Sequence, residues 1–551
     1  MERLRPLDLD RLGFYPRSFV DLLRGAPGVR GLYARPPVPF PADDAPPGVP
    51  AAGDRRALFD EILAESERAG ASPAALAAGE ALRDGRALAV VTGQQPAILG
   101  GALLTLYKVA TACALARIAS ERLGVPAVAI YWNGADDVDR GEIASSSLVD
   151  AGGILHRFTL PDGTPPPRTM VGTVAPGAYD AAVASVLAGA AGAPGERVVR
   201  EAVTSARARS KDLGEFASAL VLALLDGSPL LVLDARSRTL RRAGGELFRR
   251  YAKSRVEIER AVNARGDEMA HAGLPRPIST ESASLCLFAT PGIERVRLSD
   301  EEAVATMERL AAEDPAALSP NVVLRPVLQE HLFPDCAFVA GPGEAAYLAQ
   351  IAPAFDLLGV RPPRVYPRLL ATIVPEEARV LAVRSGLPIE AVLADPDAAR
   401  RASRPARTTD GFERASARLA EDVRRGIEAV EEEARRIDPS LPQLVNASRR
   451  NIEARLERIR NGVLARIAAH EESRLPGLKV LRDFVRPRGK PQEREINMLE
   501  LPLLLGDGWH ERLDEAAARH ARDLEAGAPA HYAFLSGPLS PRSRIREATD
   551  E

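Results

Sequence analysis

Along this chain short unbroken apolar runs alternate with longer stretches in which apolar positions recur at helical spacing. Residues 87–91 are apolar throughout, too short for a helix and bounded by polar positions, so they read as a buried strand. The run stops at Thr92-Gly93-Gln94-Gln95-Pro96. Apolar residues then recur at 103, 106, 107, 110, 113, 115 and 118, the pattern of a helix, until Gly124-Val125-Pro126 ends it. Residues 127–131 form a second strand that leads into Trp132 and the acidic residues Asp136, Asp137, Asp139 and Glu142. Further strands are expected at 229–233 and 337–340; between them the core resumes at 318–326 and continues as a helix from Val327 to Leu332. The second of these strands runs into Gly341-Pro342-Gly343-Glu344 and a helix through Tyr347, Leu348 and Ile351, and a final extended piece at 359–367 ends before Arg368. This alternation predicts a doubly wound α/β core with right-handed crossovers and ligands at the carboxyl ends of its strands.

The flanking regions differ. Residues 1–55 are Pro-rich and read as an extended arm lying on a core that spans 56–400. Two stretches, 146–209 and 264–317, carry weak or β-like signals and read as insertions. From Phe412 apolar residues recur at Leu419, Val423, Ile427, Val430, Ala434 and Ile437; after Asp438-Pro439-Ser440-Leu441-Pro442 they resume at Ile452, Leu456, Ile459, Val463 and Ile467. Two such helices joined by a Pro-containing turn predict an antiparallel coiled-coil hairpin over 410–478, followed by a segment, 479–551, that packs back on the core.

Composition narrows the class without naming it. The formal net charge of -3 gives no basic surplus for nucleic acid, and no apolar run approaches the ~20 residues of a membrane span. Cys113, Cys286 and Cys336 form no CxxC pair, sit in apolar runs and read as small buried hydrophobes of a cytoplasmic protein.

Residues 92–95 follow a strand and precede a helix, as a phosphate-binding loop would, but there is neither GxGxxG nor GxxxxGK[ST]; taken alone they read more readily as a structural turn. Lys108, two turns into the helix, alone fits a snorkelling surface lysine. The acidic segment says more. Were it helical, Asp136, Asp139 and Glu142 would share one face. So many carboxylates on a short stretch call for cations among them, Mg²⁺ or a substrate ammonium, unless the stretch is a solvated loop. Gly341–Glu344 has the form of an anion nest at a helix start.

Together, Thr92-Gly93-Gln94-Gln95 with Tyr107-Lys108, the segment from Trp132 to Glu142, Leu324-Arg325-Pro326, Gly341-Pro342-Gly343-Glu344-Ala345-Ala346-Tyr347, Pro367-Arg368 and Lys490-Pro491-Gln492-Glu493-Arg494 occur in order. The series resembles the BshC family, named as cysteine ligases of bacillithiol biosynthesis. The resemblance implies a Rossmann-like core with two connecting insertions, a coiled coil that pairs subunits into a homodimer, and a reaction that joins L-cysteine to the amino group of glucosaminyl-malate. It marks Lys108, Asp137 and Asp139 as catalytic candidates. Thr92, Gly93, Gln94, Gln95, Trp132, Asp136, Glu142, Arg325, Gly341, Gly343, Glu344, Tyr347 and Arg368 become candidates for substrate, and Lys490, Gln492 and Arg494 for a nucleotide, ATP or ADP, with Mg²⁺. One departure stands out. The family's Glu-Asp-His-Asp pattern is Asp136-Asp137-Val138-Asp139 here, with no imidazole. A nucleotide- or sugar-acid-binding assembly module and adenylate transfer to another substrate are the alternatives that the residues leave open.

Overall fold

The computed structural model describes residues 9, 12–13, 15–24, 32–33, 50–149, 155–298, 302–334, 337–374, 378–380, 382, 389–395, 410–438, 441–472, 476–528 and 532–535. Phe14, residues 34–49 of the Pro-rich arm, Cys336 and residues 536–551 lie outside them. The chain forms two compact units, Met1–Glu377 with Arg486–Glu551, and Ala378–Val485.

In the first unit α1 (Arg17–Leu23) and α2 (Gly53–Ala69) precede β1 (Leu88–Gln94), α3 (Leu103–Leu123) and β2 (Ala127–Asn133). After the short α4 (Arg140–Ile143), β3 (Ser145–Val149) and β4 (Leu155–Thr159) make an antiparallel hairpin. Helix α5 (Leu213–Leu224) leads to β5 (Leu230–Asp234). A three-stranded antiparallel sheet follows, from β6 (Leu287–Ala289), β7 (Val296–Arg297) and β8 (Leu318–Pro320). The chain then re-enters the core through α6 (Leu324–Leu332), β9 (Ala337–Ala340), α7 (Pro342–Leu357), β10 (Arg364–Pro367) and β11 (Ala371–Ile373).

The central sheet is parallel throughout, in the order β10-β9-β1-β2-β5. From β1 the chain moves outward through β2 to β5, then returns to the other side of β1 for β9 and β10. The order therefore reverses between β1 and β9, the place where a doubly wound sheet opens a ligand crevice. Continuous apolar runs suit strands covered on both faces, and β1, β2 and β9 are buried almost throughout. Helix α3 is long and apolar enough to cross a membrane by composition alone, and its side chains from Thr105 to Ala116 are buried. It ends at Gly124, whose φ of 65° is the left-handed conformation a helix stop favours.

Three expectations need correction. Residues 318–320 do not rejoin the central sheet; they pair antiparallel with β6, because the core re-enters through a helix that starts at Leu324 rather than Val327. The N-terminal arm is not simply extended, since α1 buries Phe19, Val20, Leu22 and Leu23. The acidic segment is helical only over Arg140–Ile143, so Asp136, Asp139 and Glu142 share no helical face.

In the second unit α8 (Asp410–Ile437) and α9 (Pro442–Glu472) pack as a helical hairpin. Val423, Ile427 and Leu456 are half-buried, whereas Leu419, Val430, Ile437 and Ile459 stay exposed. Paired charges three or four residues apart, such as Arg424 with Glu421 and Glu428, decorate the first helix. Back in the first unit, α10 (Gln492–Glu495) and α11 (Trp509–Glu525) follow, and β12 (Ala533–Leu535) pairs in parallel with β11.

In the outer strand β5 one residue has both backbone groups served by a side chain. Ser66 of α2, fully buried, accepts from Val232 N–H at 3.0 Å and donates to Val232 O at 3.4 Å. Ser66→Ala leaves that donor without its acceptor and should cost about 1–3 kcal/mol, read as a lower urea midpoint with an unchanged slope.

Candidate functional site

A cleft of about 850 Å³ lies at the switch point. Its walls are Gly93, Gln94 and Gln95 at the carboxyl end of β1, Trp132 at the end of β2 with Asp136, Asp137 and Glu142 beyond it, and Gly341, Gly343, Glu344 and Tyr347 at the start of α7. Lys108, Arg325, Arg368, Lys490 and Arg494 complete the expected set. The crevice opens because β1 and β9 pair over only two residues, Val90 with Ala337 and Val91 with Phe338. Beyond them the Thr92 hydroxyl donates to Val339 O at 3.0 Å, fully buried, so Thr92 fastens the strands and does not line the cleft. Gly93 allows the next approach, since a Cβ there would stand 2.8 Å from Trp132 O.

Lys108 is not a surface lysine. Its ammonium is buried and donates to Gly93 O at 2.7 Å and Gln94 Oε1 at 2.9 Å, and it pairs with Glu344 Oε2 at 2.6 Å. Burial pushes its pKa down while Glu344 pulls it back. Three N–H groups meet three acceptors, so Lys108 has no donor left for a substrate in this arrangement. From it runs a directed chain: Gln94 Nε2 donates to Gln95 Oε1, and Gln95 Nε2 to Asp137 Oδ2, each at 3.0 Å. A cation at one end and a carboxylate at the other orient both amides.

The acidic residues are separated rather than clustered. Asp136, buried, accepts from the Ser319 hydroxyl at 2.5 Å and lies 4.0 Å from Arg241. Asp137 accepts from Val138 N at 2.7 Å and Asp139 N at 3.3 Å, with Arg295 3.7 Å away. Asp139, expected beside it as an amine partner, caps α4 by accepting from Gly141 N and does not line the cleft. Burial, then Asp139 and Asp137, push Glu142 upward, against the pull of Arg494 and Lys108. Arginines from elsewhere in the chain supply the neutralising charge that the sequence suggested a metal or ammonium would bring.

Arg295 and Arg241 were missed by the sequence reading. Arg295 lines the cleft, stacks 4.2 Å over the Phe288 ring, and donates to Ser319 Oγ and Pro320 O. It comes from the expected insertion at 264–317, and its only sequence signal was the alternating run around Val296. Trp132 also faces the cleft, its buried indole N–H unpaired among the described residues.

The cations fall into two sets. Arg368 grips Glu493 through two bonds of 2.8 and 2.6 Å and donates to Leu369 O, with Tyr15 also donating to Glu493 at 2.7 Å. Burial opposes the Arg368 charge, but Glu493 overrides it and raises its pKa. Gln492, expected at a nucleotide, is fully buried away from the cleft; its amide pairs with both backbone groups of Ile373. By contrast Arg325 spends one nitrogen on the Tyr347 hydroxyl at 2.6 Å, Lys490 is exposed beside Glu495 at 3.4 Å, and Arg494 is exposed, its guanidinium with no hydrogen bond or ion pair among the described residues. These are the charges open to an anionic ligand. A smaller cavity, 530 Å³, adjoins Asp234 at the end of β5; there Arg236 is committed to Asp212 and Asp234, and burial with Asp234 lifts Glu65 to about 7.

Comparison with known proteins agrees with this architecture. Residues 49–369 match a family model described as the bacillithiol biosynthesis BshC N-terminal Rossmann-like domain, and residues 371–523 match the BshC C-terminal coiled-coil domain. The chain is 31% identical over 472 residues to the "Putative cysteine ligase BshC" of Geobacillus kaustophilus, covering 81% of this chain and 85% of that one. It is 26% identical over 551 residues to the protein of the same name from Salinibacter ruber, covering 91% and 94%.

The two sets of cations should separate by mutation. Glu493→Gln leaves the buried Arg368 without its counter-charge and should destabilise the fold by about 3–5 kcal/mol. Arg494→Ala should change stability by no more than about 0.5 kcal/mol yet weaken anion binding. Denaturation and ligand titration on both variants give the comparison; equal stability losses would show that the division is wrong.

Proposed function

The chain belongs to the BshC family, and we propose that it is a ligase joining L-cysteine through an amide bond to the amino group of glucosaminyl-malate, a step in making bacillithiol. The carrying observation is Asp137, a carboxylate facing the cleft and held by Gln95, Val138 N–H and Asp139 N–H. Its role in this reading is to bind and orient the substrate ammonium. Glu142, pushed upward, takes the proton that the amine must lose before it attacks. The carboxylates of the malate part face Arg325 and the start of α7, where Arg can bind bidentately.

Forming an amide at neutral pH requires an activated carboxyl, and ATP is the proposed source. Lys490 and Arg494 on the cleft rim, together with Arg488, fit a polyphosphate; Gln492 does not. When bound, ATP would activate the cysteine carboxylate by transferring a phosphoryl or adenylyl group to it, and that group would leave as phosphate or AMP when the amine attacks. The described residues contain no group of three or more His, Cys, Asp or Glu that could hold a metal, so Mg²⁺ enters this reading only as a companion of the phosphates. A cytoplasmic location is part of the proposal, supported by the unpaired, buried thiols of Cys113 and Cys286.

The test is turnover with L-cysteine and glucosaminyl-malate, with and without ATP. Wild type should be active, and Asp137→Asn, nearly isosteric, should weaken use of glucosaminyl-malate roughly ten- to a hundred-fold, about the value of one charge-assisted contact. An inert wild type that Val138→His brings to life would instead assign the chemistry to an imidazole.

Assembly is the second part of the proposal. The exposed Leu419, Val430, Ile437 and Ile459 on the hairpin of α8 and α9 are the surface offered to a second copy. Light scattering should give a dimer for the full chain and a monomer once residues 412–467 are deleted; a monomeric full chain would refute the idea.

A further inference from the structure

The start of α7 holds more than an ordinary helix cap. Glu344 Oε2 accepts from Gly341 N at 2.8 Å, which is the reach-back of a capping box. A capping box does not explain the rest. The same oxygen lies 2.6 Å from the buried Lys108 ammonium, and the Glu344 side chain lines the cleft at 18% exposure. Arg368 Nε, buried and without an acceptor, lies 3.4 Å from where a Cβ on Gly341 would stand, as does Glu344 Oε2. The first-turn N–H of Gly343 has no acceptor among the described residues. Tyr347, one turn along, holds Arg325 over the same spot. A helix start, a buried ammonium and a guanidinium nitrogen without an acceptor converge where one carboxylate of the protein sits.

We propose that the Glu344 carboxylate occupies a seat for a substrate oxyanion, carboxylate or phosphate, and that binding exchanges one for the other. The inference rests on reading the cleft as the substrate site, not on which amino acid is ligated. Exchange, rather than simple addition, is what the electrostatics allow. Lys108 is buried and needs a negative partner at every stage, because removing one member of a buried pair is costly. An incoming oxyanion takes over Lys108 and the free first-turn N–H of Gly343 while Glu344, near the cleft surface, turns to solvent. Glu344 is therefore an internal competitor of the ligand, and it screens the seat against groups that bring no negative charge.

Removing the competitor should tighten anion binding. L-malate and inorganic phosphate are titrated calorimetrically into full-length wild type, Glu344→Gln and Glu344→Asp, each checked for folding by circular dichroism and melting. The amide cannot compensate Lys108, and the shorter Asp retracts the carboxylate from it. Both should bind roughly three- to tenfold more tightly than wild type, about the value of one charge-assisted contact. A gain for malate alone assigns the seat to a carboxylate, and a gain for phosphate alone assigns it to a phosphoryl group. If Glu344→Gln does not fold, Glu344→Asp carries the test in the same direction. Unchanged or weaker binding of both anions overturns the proposal and makes Glu344 a fixed clip. Because the readout is binding, it stands whether or not cysteine proves to be the donor.

Discussion

A buried ammonium governs the layout of the cleft. Lys108 stands on the central helix α3 beneath the point where β1 and β9 diverge, and a charge at that depth is tolerable only if every N–H finds an acceptor. The acceptors come from the loop after β1 and from the first turn of α7, so satisfying one side chain draws together elements more than 200 residues apart in sequence. The same requirement orients Gln94, which orients Gln95, which holds one oxygen of Asp137. The pose of the carboxylate on the far wall is thus a consequence of burying the lysine.

Charge in the site is organised by depth. Below the surface Lys108, Arg368, Arg295 and Arg241 are engaged by Glu344, Glu493, Asp137, Asp136 and nearby carbonyl or hydroxyl groups, and they fix the walls. At the rim Arg325, Lys490 and Arg494 retain donors. Such a division suits a site for an anionic ligand: the deep pairs provide rigidity without exposed charge, and the outer cations provide attraction shared among several contacts. It also explains why residue type alone misleads. Arg368 and Arg494 look equivalent in sequence, but only one of them is available.

Much of the core was legible because its rule is local. The apolar runs of β1, β2, β5 and β9 are buried on both faces, and their strand assignments hold; the heptad-like spacing of Val423, Ile427 and Leu456 foretold the helical hairpin. The failures arise where a residue's partner is remote. Asp136, Asp137 and Asp139 read as a cluster because they are adjacent, yet their partners, Ser319, Arg295 and the backbone of Gly141, pull them in different directions. Gln492 sits in a polar motif that suggests a ligand, but its amide stands in for a neighbouring strand at Ile373. Nothing in a string of residues shows that a side chain will substitute for a backbone.

Position 138 brings these arguments to the chemistry. Its contribution to Asp137 is the backbone N–H, donated to Oδ1 at 2.7 Å, and any residue other than proline can supply it. An imidazole there would add a titrating group, but the carboxylate beside it is held by Gln95, by two successive backbone donors and by the charge of Arg295, none of which depends on that side chain. Replacing histidine by valine therefore removes a candidate proton carrier while leaving the Asp137 carboxylate as constrained as before. Under the proposed reaction the proton would pass to Glu142, whose pKa burial already pushes upward, so the substitution is compatible with an active enzyme.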